Sequence, residues 1–271
     1  MKLSVVIPSF NRPHFLERLL KSIAKQTCLP DEVIVVDDHS FNPERFNSLI
    51  EYYSQHLPQF RFLRNKTCKG APYSRNRGIR EASGELIALV DDDDEWLSHK
   101  LEKQIATFQK NPENLGLTYT WTNAIHLNQV VFKYRPVENG RPLANLLLSC
   151  FIPSPSVVVR KQAIIEAGLF DECFPSCQDW DMWTRILAKG YECQVVEEVL
   201  TLYHKHEKPS IGTSPKAQIG YSYYRKKHLF LYWEYHKKLF LKYALELFVT
   251  SKCKSKIKKS LNFLFAYDST S

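Results

Sequence analysis

Short apolar runs closed by polar clusters alternate along this chain with stretches in which apolar residues recur every three or four positions. Residues 3–7 are apolar and largely β-branched and end at Pro8, which predicts a buried strand and then a loop. Asn11 and Pro13 stand where an N-cap and an early helical residue belong, and Phe15, Leu16, Leu19, Leu20 and Ile23 follow at helical spacing. Residues 32–36 predict a second strand, ending at Asp37 and Asp38. Phe46, Leu49, Ile50 and Tyr53 mark a second helix, residues 60–63 a third strand, residues 73–82 a third helix and residues 86–90 a fourth strand. Strand and helix in strict alternation predict a parallel sheet with helices on its faces.

Beyond Trp96 the pattern changes. Residues 100–110 predict a helix, 116–120 a strand, and 126–137 a β excursion with a polar tip at Asn128 and Gln129. Residues 156–160 and 192–196 predict further short strands. Between those two, Trp180, Trp183, Ile186 and Leu187 fall on one helical stripe behind Asp179. No internal repeat, low-complexity linker or boundary breaks the chain before about residue 215.

The fourth strand runs directly into Asp91, Asp92, Asp93, Asp94 and Glu95. Adjacent like charges repel unless something positive sits among them. At the carboxyl ends of parallel strands, where ligands bind, hard carboxylate oxygens suit Mg²⁺ or Mn²⁺ together with a phosphate. A solvated acidic turn before a helix explains the same run equally well, since a helix N-terminus favours acids. The first two strands also end in polar groups, Ser9 and Asn11 for one and Asp37 and Asp38 for the other, and parallel strands bring all these ends to one edge. Neither G-x-G-x-x-G after the first strand nor G-x-x-x-x-G-K-[ST] is present, so neither a dinucleotide dehydrogenase nor a P-loop enzyme is supported.

Charge divides the 271 residues unevenly. The net charge is +8, and residues 221–271 hold eleven Lys or Arg against three acids. That leaves 26 basic residues (37 less 11) and 26 acidic residues (29 less 3) in the rest. The basic, aromatic-rich tail fits an amphipathic helix lying on an anionic membrane surface, or a helix packed on the preceding domain with its lysines in water. No groove-reading motif accompanies the charge, so nucleic acid is not an expected partner. The seven cysteines are scattered and form no C-x-x-C pair, which points to reduced thiols in a cytoplasmic protein. The N-terminal run is too short and too soon broken for a signal peptide, and no stretch is apolar enough to span a membrane.

Several ordered motifs carry a resemblance over roughly residues 1–210. They are VVIPSFNR at 5–12, QTCLPDEVIVVDDHS at 26–40, GAPYSRNRGI at 70–79, GELIALVDDDDEWL at 84–97, and GLFDE at 168–172 followed by QDWDMWTRIL at 178–187. In this order the chain resembles the inverting family-2 glycosyltransferases of the GT-A fold, bacterial enzymes of surface-polysaccharide assembly among them. The resemblance implies an α/β fold in which residues 1–215 form the transferase domain and 216–271 a helical extension. Within that domain, residues 1–95 would bind the nucleotide sugar and 96–215 the acceptor.

The resemblance also implies roles. Pro8 with Ser9, Asn11 and Arg12 would line the nucleotide slot, Asp37 and Asp38 would close it, with Asp38 on the base, and Arg75 would face base or phosphate. Asp91, Asp92 and Asp93 match the family's D-x-D, the last acid on Mn²⁺ or Mg²⁺ and an earlier one on the ribose. Asp179 matches the catalytic base, with Asp181 as second choice, and His206 resembles a histidine that reaches the metal or diphosphate. The donor implied is a nucleoside diphosphate hexose, UDP-linked by preference. The acceptor implied is a glycan or lipid-linked glycan at the cytoplasmic face of the membrane. One departure stands out: Gln178 occupies a position where the family usually has Glu. That removes a like charge beside Asp179, which would lower its pKa. From the residues alone, Asp37 and Asp38 also fit turn caps, Asp179 a helix N-cap, and Arg77 an ordinary solvated charge.

Overall fold

The computed structural model describes residues 1–110, 114–205 and 215–249. The N-terminal half alternates as its sequence predicts: β1 (Leu3–Ser9), α1 (Pro13–Ala24), β2 (Glu32–Asp37), α2 (Asn47–His56), β3 (Phe60–Arg64), α3 (Ala71–Glu81) and β4 (Leu86–Leu89). The second half contains β5 (Glu95–Trp96), α4 (Lys100–Lys110), β6 (Leu115–His126), β7 (Gln129–Tyr134), α5 (Leu143–Leu148), β8 (Val158–Arg160), α6 (Lys161–Glu166), α7 (Gln178–Ala188) and β9 (Glu192–His204). Three helices follow, α8 (Pro215–Lys227), α9 (Leu229–Tyr235) and α10 (Lys237–Val249).

All strands join one sheet in the order β3-β2-β1-β4-β8-β6-β9-β5, with β7 added to β6. The first four are parallel, while β8 runs antiparallel between β4 and β6. Strand residues alternate between two buried faces, as a sheet covered on both sides requires. Leu3, Val5, Ile7, Val33 and Val35 meet α1, α2 and α4 through Leu16, Leu19, Tyr53, Leu101 and Phe108. Val6, Ile34, Val36, Ile87 and Leu89 meet the opposite layer through Ile79, Ile164, Met182, Trp183 and Ile186. Each such fully buried side chain contributes about 1.5–3 kcal/mol relative to exposure, so both layers are held firmly. Gly78 makes the α3 layer possible, because a Cβ there would lie 2.4 Å from Val6 Cγ1.

Three local expectations change. Asn11 is not the cap of α1: Arg12 occupies that place, and Asn11 takes φ +58°, with its amide on Ser40 Oγ at 2.8 Å and its Oδ1 accepting from Phe41 N at 2.9 Å. Asp179 does not cap α7 either, since Cys177 precedes the helix at φ +60°. Arg77 is not a solvated charge but donates to Arg64 O at 2.7 Å and Asn65 Oδ1 at 2.9 Å.

The tail is not one amphipathic helix. His236, at φ −143°, breaks it between α9 and α10, and α8 ends ahead of His228. The three helices pack on the second half: Tyr224 stacks on Trp180 at 4.2 Å, Tyr232 Oη donates to Leu147 O at 2.6 Å, and His236 bonds Ala144 O at 2.8 Å. Gly220 permits the docking, because a Cβ there would sit 2.0 Å from Ser176 Oγ. Among the described residues no helix is long and apolar enough to cross a membrane.

Candidate active site

The parallel strands deliver their polar ends to one edge. Ser9 Oγ donates to Asp92 Oδ2 at 2.8 Å, and Arg12 Nη1 reaches Asp92 Oδ1 at 3.2 Å and Asp93 Oδ2 at 2.7 Å. Arg12 thus supplies part of the positive charge that the acid run requires. Arg18 of α1 adds a bond to the Asp93 carbonyl. Burial pushes the Asp92 carboxyl up to about 7; Arg12 opposes this and Asp93 reinforces it. Asp94 too is raised well above its ordinary value, by burial first and then by Asp93 and Asp91, with the His204 backbone opposing. Both of its side-chain oxygens are buried, and no side chain pairs with them. Pro8 is buried within β1 opposite Val36.

At the end of β2 the two aspartates divide. Asp37 is fully buried and accepts from Ser40 N and Ser40 Oγ, with Arg64 Nε at 3.8 Å. Its carboxylate closes the turn, so its expected place in the nucleotide slot is corrected to a structural one. Asp38 organises the loop ahead of α3, accepting from Asn65 Nδ2 at 2.8 Å, Lys69 N at 2.9 Å and Gly70 N at 2.7 Å. Burial alone would raise its pKa, but the Lys69 amide and Asn65 outweigh it and hold the carboxylate below its usual range.

Arg75 connects the halves. It is buried on α3, donates from Nη2 to Asp91 Oδ1 at 2.5 Å and from Nη1 to Gln178 Oε1 at 3.3 Å, and lies over the Phe170 ring. Asn76 beside it clamps residues 170–172 through Phe170 N, Phe170 O and Glu172. Asp179, on the first turn of α7, is half-buried and close enough to feel the charges of Arg75 and Asp91. Burial raises its pKa, and the Trp180 amide and Arg75 offset this only in part. Asp181 is different. It is fully buried, bound by Arg185 Nη2 at 2.7 Å, His228 Nε2 at 2.9 Å and Lys227 Nζ at 3.1 Å. It presents nothing to the cleft and is removed as an alternative base.

His206 lies outside the described residues. His204 pairs with Glu95, the last acid of the run, at 3.1 Å. The sequence reading passed over Asn76, Asn65, Gly70 and Arg18. Asn76 and Gly70 stand inside quoted motifs, and Gly70, with φ +91°, carries the signal of a required left-handed turn. Arg18 gave none.

A parallel half and a mixed half, joined where Arg75 bridges the acid run to the start of α7, have the arrangement of the GT-A fold. Across residues 4–165 the chain matches the model of glycosyl transferase family 2, and it belongs to that family. It is 31% identical over 187 residues to an Escherichia coli enzyme, the UDP-Glc:alpha-D-GlcNAc-diphosphoundecaprenol beta-1,3-glucosyltransferase WfgD, covering 68% of this chain and 69% of that one. It is 27% identical over 235 residues to the putative colanic acid biosynthesis glycosyl transferase WcaA of Escherichia coli, covering 83% and 81%. The structure of S. aureus TarS 1-349 with UDP-GlcNAc superposes with a TM-score of 0.67 at 21% identity, over 84% of this chain. The chain spans 66% of that TarS structure, and the likeness shows the fold. Relatives of this chain thus serve polysaccharide biosynthesis.

Proposed function

We propose that this glycosyltransferase moves a hexosyl unit from a UDP-sugar to a glycan or lipid-linked acceptor with inversion, at the cytoplasmic face of a membrane. What supports this is that the buried Arg75 pairs with Asp91 and bonds Gln178 at the start of α7, so that Asp179 lies within electrostatic reach of both Arg75 and Asp91. Inverting transfer is an in-line displacement at the anomeric carbon. It needs a base on the acceptor hydroxyl and positive charge on the departing diphosphate. Asp179 takes the proton, and the raised pKa that burial gives it brings it closer to neutrality and makes it a better base. Arg75 fixes Asp91 and, through Gln178, the start of α7, so donor and base keep register. Arg12 stands at the phosphate side of the cleft.

The family implies a divalent ion. Among the described residues no three His, Cys, Asp or Glu side chains form a cation cage, but two observations fit an ion completed by diphosphate oxygens. The donors are hard carboxylates, and Asp94 is a buried acid with no side-chain partner. Asp93, backed by Asp94, would hold Mn²⁺ or Mg²⁺. When bound, the ion supplies positive charge to the leaving diphosphate. The UDP-linked donor and the diphospholipid acceptor are supported by the name of WfgD, and the lipid-facing location by the basic tail, whose Phe230 and Trp233 are exposed on α9.

A second reading, a nucleotide-sugar-binding module without turnover, is motivated by Gln178 in place of the usual Glu. Thermal-shift titration with a panel of nucleotide sugars and Mn²⁺ tests the first step, because a ligand of the folded state stabilises it by mass action. UDP-sugars are expected to raise the melting temperature most. No stabilisation by any nucleotide sugar overturns both readings, and stabilisation without UDP release in the presence of acceptor leaves only the module.

A further inference from the structure

The β6–β7 hairpin overhangs the acid cluster, and its register shows how far. Ala88 and Thr118 both pair with Val158, so β6 runs in the direction of β4. Glu95 and Asn123 both pair with Leu202, so Asn123 is level with the end of the acid run. The hairpin turn lies four residues further on, about 13 Å beyond the acids at strand rise. It therefore extends past the edge of the sheet at which the acids lie.

This overhang is apolar where it meets solvent. Leu127 is 79% exposed, Val130 46%, Val131 49% and Phe132 52%. All six residues of β7 are exposed or nearly so, and among the described residues it pairs with no strand but β6. The turn itself holds Leu127 at φ +47° and Asn128 at φ +61°. Such a two-residue turn favours Asn, Asp or Gly at both positions, and a leucine there is strained. Strain retained at an exposed apolar side chain points to a use for that side chain. The charge on the hairpin itself has one sign. Residues 121–137 contain no Asp or Glu, while Lys133 and Arg135 lie on the hairpin and Lys205 flanks its tip, with its carbonyl bonded by His126.

We infer that the hairpin tip docks into the surface of an anionic lipid bilayer, with Leu127, Val130 and Phe132 entering the apolar boundary and Lys133 and Lys205 lying among the headgroups, while Arg135 stays bonded to Thr122 O and Asn123 Oδ1 within the hairpin. Apolar tip and basic collar are the two parts that interfacial binding requires, and charge complementarity selects an anionic surface. Docking there would hold the cleft against the layer in which a lipid-linked acceptor resides. The inference deepens the proposed acceptor class and rests on that reading for its purpose. Its test reads lipid contact and not sugar transfer, so the two fail separately.

The full chain is mixed with vesicles of phosphatidylglycerol and phosphatidylcholine, and with phosphatidylcholine alone, and the bound fraction is measured by co-sedimentation. Two variants are compared with the unaltered protein: the triple change Leu127→Ser, Val130→Ser and Phe132→Ser, and the single change Leu127→Asn. The triple variant should bind phosphatidylglycerol vesicles at least tenfold more weakly, with an unchanged thermal shift by UDP and Mn²⁺. Leu127→Asn, which suits the turn better, should melt no lower than the unaltered protein and still bind several-fold more weakly. Vesicle binding by both variants equal to that of the unaltered protein overturns the inference, as does equal binding of the unaltered protein to neutral vesicles. If the variants instead lose self-association in light scattering while vesicle binding stays intact, the face belongs to a second copy of the chain and the inference is equally overturned.

Discussion

Replacing Asp181 by Asn removes one carboxylate and leaves three groups that were arranged around it. Arg185, Lys227 and His228 all lie within 3.1 Å of it, and the Asp181 side chain has no exposed surface. Breaking a fully buried ion pair costs about 3–5 kcal/mol. Arg185 and Lys227 retain 17% and 29% exposure and rehydrate in part, so the lower end, about 3 kcal/mol, is expected for Asp181→Asn. For a chain of this size that corresponds to a fall of about 6–12 °C in melting temperature. Glu17→Gln is the control. Its pair with Lys21 is equally short but exposed on both sides, so its loss should cost under about 0.5 kcal/mol.

The effect should depend on pH in a stated direction. Burial alone would raise the Asp181 carboxyl, but hydrogen bonds from His228 and Arg185 outweigh it and hold it below its ordinary range. A carboxyl depressed in the folded state contributes stability that is complete above its unfolded value of about 3.9 and is lost as pH falls through the folded one. The difference between Asp181→Asn and the unaltered protein should therefore be full at neutral pH and shrink only below about pH 4. Urea unfolding followed by tryptophan fluorescence measures it, and hydrogen exchange over residues 215–249 shows whether the tail helices loosen first. A variant within about 0.5 kcal/mol of the unaltered protein at pH 7 would refute the claim that Asp181 anchors the tail.

Arg12→Gln should lower the metal-free melting temperature by a few degrees at most, because Arg12 is 47% exposed. Added Mn²⁺ should recover most of that loss, since a second cation then sits among the acids; a deficit indifferent to Mn²⁺ would count against Arg12 as the resident counter-charge. Gln178→Glu places a like charge beside Asp179 and should move the acidic limb of the transfer pH profile upward. A limb that stays in place would show that Arg75 absorbs the added charge.

Much of the N-terminal half was legible because its strands are buried on both faces and its helices show one apolar stripe. Apolar runs and 3.6-residue spacing mark these without ambiguity, and the predicted helix over 100–110 matches α4 residue for residue. The length of β9 was not legible. Glu197 and Glu198 interrupt its apolar pattern, and the strand continues through them only because β6 supplies partners as far as His204. The tail was readable as helical but not as packed, since its aromatic residues fit a lipid surface as well as the face of Trp180. Choosing between Asp179 and Asp181 turned on which face of α7 each occupies. Two residues along a helix are about 200° apart, so one aspartate faces Arg75 and the other faces the tail. Sequence spacing says that they diverge and not which of them lines the cleft.

The central claim is that Asp179 acts as base on an acceptor whose donor is bound independently across the cleft. Asp179→Asn is nearly isosteric, and the Trp180 amide that Asp179 accepts at 2.9 Å keeps an acceptor oxygen. The most direct measurement is single-turnover transfer from a UDP-sugar, made beside donor affinity on the same protein. The predicted result is unchanged donor binding with transfer slowed by roughly 10² to 10⁴-fold, the range for losing a positioned general base. Transfer near the unaltered rate in a folded, donor-binding Asp179→Asn protein would contradict it.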